Sequence, residues 1–213
     1  MKNKTTLYHL IIDRSGSMSN CVNQTVSSFN EQVQSIGNLQ NEFQDQTFLV
    51  SLTTFADHVT PIYERTDARD LPALQAHHYT PEGLTALNDA IGTTIKQIER
   101  SMGPMLEQGE ASVVVVILTD GGENCSKEFS GAAIAELIKG KEATGLWSFN
   151  FLGASFNAET VTSEYGLSAE KARSFDKADM NMAMNKVSQS MRSYAEAKAK
   201  GNMKEDFLSD FDN

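Results

Sequence analysis

The unbroken aliphatic run Val113-Val114-Val115-Val116-Ile117-Leu118 leaves this chain few ways to fold. A strand without polar alternation has to be covered on both faces, as a central strand of a parallel sheet is. Leu7–Ile12, Thr47–Phe55 and Trp147–Leu152 are short and rich in β-branched and aromatic residues, and read as its companions. Val59–Glu64 reads as a further strand, linked to Thr47–Phe55 by a hairpin through Ala56-Asp57-His58. Its Pro61 removes a ladder donor and sends it to the sheet edge. Arg173–Phe175 makes a sixth, short strand.

Between the strands, apolar residues recur at helical spacing. The sets are Val22, Val26, Phe29, Val33 and Ile36; then Leu87, Ala90, Ile91, Thr94, Ile95, Ile98 and Met102, ending at Gly103-Pro104. Ala133, Ile134, Leu137 and Ile138 follow, closed by Lys139 and Gly140. Met180, Met184, Val187, Met191 and Tyr194 come last, with Asp176 or Asp179 placed to cap the helix. Alternating strands and helices predict an α/β fold: a doubly wound, mainly parallel six-stranded sheet with one antiparallel edge strand and helices on both faces. The Met stripe of the last helix reads as core packing.

The chain has 213 residues, enough for one domain. Residues 1–200 read as that domain, and 201–213 as an acidic, flexible tail carrying Glu205, Asp206, Asp210 and Asp212 with Phe207, Leu208 and Phe211. Residues 65–82 read as an irregular connection. A formal charge of −10 with scattered Lys and Arg argues against nucleic-acid or anionic-membrane partners. The longest aliphatic run is far short of the ~20 residues a membrane helix needs. Leu7–Ile12 contains His9 and stops at Asp13, unlike a targeting segment. A cytoplasmic location is the expectation. Cys21 and Cys125 read as two thiols of a reducing compartment, or as a reversible bridge, since each follows a candidate metal-binding segment.

The chemistry concentrates where strands end. Asp13-Arg14-Ser15-Gly16-Ser17 leaves the first strand with a carboxylate and two hydroxyls at alternate positions. Such an all-oxygen set suits a small hard cation; Mg²⁺ takes oxygen donors at about 2.0–2.1 Å. Gly83-Leu84-Thr85 opens a helix, and Thr119-Asp120-Gly121-Gly122 follows the aliphatic strand. In doubly wound sheets ligands bind at the carboxyl ends of the strands, so the three loops are expected to meet on one face. Hydroxyls outnumber carboxylates in this set. A cation so held stays electrophilic and attracts one more anion.

Bland alternatives exist for each residue. Asp13, Ser17, Ser19 or Asn20 can cap the following helix, and Thr85 can cap the next. Asp120-Gly121 can be an ordinary turn. Asp89 reads as a first-turn helix acid, Glu123 and Asn124 as rim residues, and His9 as an interior histidine. His77-His78 does not suit a hard cation.

Asp13, Ser15, Ser17, Thr85 and Asp120 together resemble the metal-ion-dependent adhesion site of von Willebrand factor type A domains: D-x-S-x-S, a distant Thr in a G-x-T turn and a distant Asp in a T-D-G-type loop. The resemblance covers about residues 5–200 and is to the small stand-alone bacterial type. It implies one Mg²⁺ or Mn²⁺ per chain, with Ser15 and Ser17 binding directly, Asp13 binding directly or, as is usual, through a water while orienting the serines, and Thr85 and Asp120 as the exchangeable pair. It implies a partner protein presenting a Glu or Asp carboxylate, no catalysis, and a last helix that moves on partner binding. An acidic tail could also offer its carboxylates to a neighbouring molecule's metal, giving weak self-association. The alternative reading is a Mg²⁺-dependent phosphoryl-transfer enzyme of haloacid-dehalogenase-like type, whose D-x-D motif would place a second Asp where Ser15 stands.

Overall fold

A computed structural model describes residues 4–155, 158–202, 206–209 and 211. Six strands form one sheet in the order β3-β2-β1-β4-β5-β6. These are β1 (Thr5–Asp13), β2 (Thr47–Phe55), β3 (Val59–Asp67), β4 (Ala111–Thr119), β5 (Trp147–Ala154) and β6 (Ala172–Phe175). All neighbours are parallel except β2 and β3, an antiparallel hairpin that ends the sheet. Pro61 stands opposite Thr53 on that edge strand, which pairs on one side only. The helices are α1 (Val22–Glu42), α2 (Leu87–Glu107), α3 (Gly131–Glu142), α4 (Ala158–Tyr165) and α5 (Met180–Ala199). The expected α/β architecture is the one observed.

Alternation along β1 and β4 separates two cores. Tyr8, Leu10, Ile12, Val114, Val116 and Leu118 pack toward α1 and α5, with Phe29, Ile36, Met184, Val187 and Met191. Leu7, Ile11, Val113, Val115 and Ile117 pack on the other face against Ile91, Ile95, Ile134 and Ile138 of α2 and α3. The Met stripe of α5 is therefore core. His9 is buried, with Nε2 2.8 Å from Thr53 Oγ1, and burial lowers its pKa to about 3.

Four local expectations are corrected. Helix α2 continues past Gly103-Pro104 because Met102 and Leu106 extend its apolar stripe, and Pro104 still offers its carbonyl to Gln108 N–H at 3.2 Å. Strand β3 runs on to Asp67, through register shifts opposite Val50–Thr53. Neither Asp176 nor Asp179 makes a side-chain cap at the start of α5. In the segment expected to be a flexible tail, Phe207 and Leu208 are fully buried and Phe211 nearly so, all in the α1–α5 core. Their apolar area decides their place more than the acidic residues beside them. Asp206 Oδ1 accepts Leu208 N–H at 3.1 Å, whereas Glu205, Asp210 and Asp212 lie outside the described residues. Among the described residues no helix is long and apolar enough to cross a membrane.

The chain passes from β1 outward to β2 and β3, then returns to place β4 on the other side of β1. The carboxyl ends of β1 and β4 thus flank the point where strand order reverses, where open α/β sheets bind ligands.

Candidate metal centre

Asp13 is the last residue of β1 and is fully buried. Its Oδ1 accepts Ser15 N–H at 2.6 Å and its Oδ2 accepts the Thr119 hydroxyl at 2.7 Å. Burial pushes this carboxyl above its ordinary range, against those hydrogen bonds, and the nearby Asp120 charge adds to the rise. Ser15 Oγ lies 3.1 Å from Ser17 Oγ, and Ser17 Oγ donates to Asp120 Oδ1 at 2.7 Å. Two loops far apart in sequence therefore bring Asp13, Ser15, Ser17 and Asp120 into one hydrogen-bonded chain. Ser15 is buried, Ser17 exposed and the Asp120 side chain only 2 % exposed, so the cluster opens at Ser17.

The loop carrying Thr85 is fastened between the other two. Gly16 N–H donates to Gly83 O at 3.1 Å, Thr85 N–H to Asn124 Oδ1 at 2.8 Å, and Asn124 N–H returns to Thr85 O at 3.1 Å. Asp57 Oδ1 accepts Leu84 N–H at 3.1 Å. Gly83 has φ +69°, a conformation that favours glycine, and a Cβ there would lie 2.0 Å from Asp57 Oδ2, so that carboxylate would have to shift. Arg14 completes the clamp: its guanidinium pairs with Glu82 at 3.0 Å and its carbonyl accepts Glu82 N–H at 2.9 Å.

The capping alternatives fail on hydrogen bonding. Ser15 precedes the 3₁₀ turn Gly16–Cys21 without a side-chain cap, and Cys21 precedes α1 likewise. Helix α2 has Ala86 at its N-cap, not Thr85. Its first N–H groups are served from the β4–α3 loop: Asn88 N–H by Glu123 Oε2 at 2.8 Å and Asp89 N–H by Ser126 Oγ at 3.0 Å. Asp13, Ser15, Ser17 and Thr85 are thereby spared from helix ends.

That same loop gives Glu123 and Asn124, expected at the rim, a structural task as well: Asn124 is exposed and Glu123 half-buried beside the Thr85 turn. Glu123 also accepts Cys125 N–H at 2.8 Å, Ser126 N–H at 2.6 Å and the Ser126 hydroxyl at 2.6 Å. Asp89 accepts the N–H groups of Lys127, Glu128 and Phe129 at 2.8–3.0 Å. These side chains hold loops in place. Cys21 and Cys125 are free thiols, the former buried with Sγ 3.2 Å from Met18 O. His77 and His78 form an exposed turn, not a site.

One residue of the cluster was missed by sequence reasoning. The Lys177 ammonium makes an ion pair with Asp120 Oδ2 and donates to Ser17 O at 2.8 Å. Lysine just before the last helix carries no signal of such a contact.

Among the described residues no group of three or more His, Cys, Asp or Glu could hold a metal. A site here has to be hydroxyl-rich, and the donors fit a hard cation: two carboxylates and the hydroxyls of Ser15 and Ser17, with that of Thr85 on the adjoining loop. The Lys177 ammonium meets one of these donors, Asp120 Oδ2.

Residues 9–190 match the von Willebrand factor type A domain. The chain belongs to this family. Its fold generally serves adhesion or interaction rather than catalysis. Proximal thread matrix protein 1 (PTMP1) from the mussel byssus superposes with a TM-score of 0.62 at 17 % identity, over 88 % of this chain and 46 % of that one. A further PTMP1 structure has a zinc-occupied MIDAS motif. The vWF domain of the type V pili tip protein Mfa5 from Porphyromonas gingivalis gives 0.64 at 9 % identity, over 90 % and 96 % of the two chains. Manganese-loaded Plasmodium vivax TRAP protein gives 0.57 at 17 %, over 85 % and 72 %. The type A domain described here thus spans less than half the length of PTMP1, and at these identities the likeness is one of fold. No match is found among curated proteins.

Proposed function

We propose that this type A domain is a metal-dependent protein-interaction module without catalysis of its own. The hydroxyls of Ser15, Ser17 and Thr85 and the carboxylates of Asp13 and Asp120 would hold one Mg²⁺ or Mn²⁺. Asp13 acts from the floor, fixing Ser15 through its backbone N–H and supplying charge from a buried position. The cation supplies an electrophilic centre to which a Glu or Asp carboxylate of a partner protein binds. The observation that carries the reading is the hydrogen-bonded chain from Asp13 through Ser15 and Ser17 to Asp120, closed across loops from β1 and β4 with no side chain diverted to a helix cap.

The phosphoryl-transfer alternative is not favoured. A haloacid-dehalogenase-like mechanism needs a second acid where Ser15 stands, and Ser15 Oγ instead faces Ser17 Oγ. A reducing, cytoplasmic setting suits the two free thiols. Calorimetric titration with Mg²⁺ and Mn²⁺ tests the proposal: one ion per chain for the wild type and none for Asp120→Ala. Equal uptake by both proteins would remove Asp120 from the site and end the reading. A partner retained in Mg²⁺ and released by chelator would extend it.

A further inference from the structure

Lys177 lies outside the proposed ligand set yet reaches into it. It stands on the 3₁₀ turn Lys177–Asp179 that joins β6 to α5. Its ammonium pairs with Asp120 Oδ2, donates to Ser17 O at 2.8 Å and lies 3.5 Å from Asn20 Oδ1. On the other side, its backbone N–H donates to Ser155 Oγ at 3.4 Å, at the end of β5. Both oxygens of Asp120 are therefore engaged, one by the Ser17 hydroxyl and one by the ammonium.

A divalent ion on Asp120 would stand close to the Lys177 ammonium, and the two positive charges repel each other most where water screens them least. An ammonium on a flexible four-carbon stem is suited to leave such a contact, since it regains its hydration in water. The Lys177 side chain is 20 % exposed, against 2 % for that of Asp120, so a route to solvent exists. We propose that Lys177 is an intramolecular counter-cation for Asp120 that competes with the divalent ion. It balances the buried acids when no metal is held, and it leaves Asp120 when metal is taken up. The inference rests on the metal-binding reading above and adds to it an internal competitor that sets the metal concentration at which the module switches on.

The test combines two measurements. Calorimetric titration with Mn²⁺ compares the wild type with Lys177→Met and Lys177→Gln, two neutral variants so that a folding defect in one does not decide the matter. Removing the competitor should tighten Mn²⁺ binding about tenfold, the effect of a charged hydrogen bond no longer in opposition. In the wild type, acylation of Lys177 by acetic anhydride, read by mass spectrometry, should rise severalfold on adding Mn²⁺. Exposed Lys139 on α3 serves as the unchanged control. Equal or weaker binding by both variants, or unchanged Lys177 acylation, overturns the competition while leaving the metal site standing. Failure of wild type and variants alike to take up Mn²⁺ overturns both.

Discussion

Asp13→Asn separates structural support from metal binding at the most buried acid of the site. The carboxylate accepts Ser15 N–H at 2.6 Å and the Thr119 hydroxyl at 2.7 Å. An asparagine oxygen can keep the first bond. Its amide N–H₂ would face Thr119 Oγ1, which also lies 2.8 Å from Gly121 O and can turn its proton there while accepting from the amide. Burial and the Asp120 charge both disfavour the ionised form of Asp13, so removing that charge should leave the metal-free fold within about 1 kcal/mol of wild type. Metal binding should respond quite differently, because a full negative charge has gone from the floor of the site. A ligand at a hundred times its Kd stabilises by about 2.7 kcal/mol. At about 2–4 °C per kcal/mol for a domain of this size, the wild-type Tm should rise roughly 5–10 °C between chelator and saturating Mg²⁺. Scanning calorimetry of both proteins in both buffers reads the effect. The wild type should shift and Asp13→Asn should not. A variant with the full Mg²⁺-dependent rise would refute the reasoning, and so would a variant that loses several kcal/mol in chelator alone.

Three further outcomes follow from particular contacts. Phe207 is fully buried with its ring 6.2 Å from that of Tyr194, so Phe207→Ala should cost about 3–5 kcal/mol in urea unfolding, whereas a tail lying free in solvent would lose almost nothing. Gly83→Ala forces a side chain into φ +69° against Asp57 and should cost roughly 1–3 kcal/mol while weakening Mg²⁺ uptake by displacing the Thr85 turn; an unchanged urea midpoint would count against that fastening. Lys198 donates to Thr5 O at 2.9 Å, Thr6 Oγ1 at 2.6 Å and Ser112 Oγ at 3.0 Å, and burial lowers its pKa to about 7 from 10.5. The unfolded chain then binds more protons between those values, so this lysine's burial cost is present in full below pH 7 and fades as pH rises toward 10.5. Thermal melts across that range should show a rise in wild-type stability that Lys198→Met lacks, and parallel curves would contradict the shift.

The architecture was legible because burial on both faces leaves a direct trace in composition. Val113–Leu118 has no polar position, and the strand it forms is buried throughout. The helix stripes likewise marked their inner faces, as Phe29, Val33 and Ile36 show. Short elements left weaker traces. Helix α4 covers only Ala158–Tyr165 and went unread. The acidic tail misled because Asp and Glu dominate its appearance while Phe207, Leu208 and Phe211 decide where it goes.

At the candidate site, the residue types and their placement after strands announced the loops, and sheet topology brought them together. What sequence could not convey was the support around them. Asp57, Asp89, Glu123 and Asn124 act through backbone N–H groups, and such contacts impose no pattern on the chain. Lys177 is the extreme case, reaching Asp120 from a turn that only the folded sheet brings near.

The most direct measurement is anomalous diffraction from a crystal grown with Mn²⁺, collected at the manganese edge. One peak bounded by Ser15 Oγ, Ser17 Oγ and the Thr85 hydroxyl, with Asp120 facing it and the Lys177 ammonium withdrawn, is the expected result. Saturating Mn²⁺ with no peak at those oxygens, and with Ser17 and Lys177 still bonded to Asp120, would contradict the account.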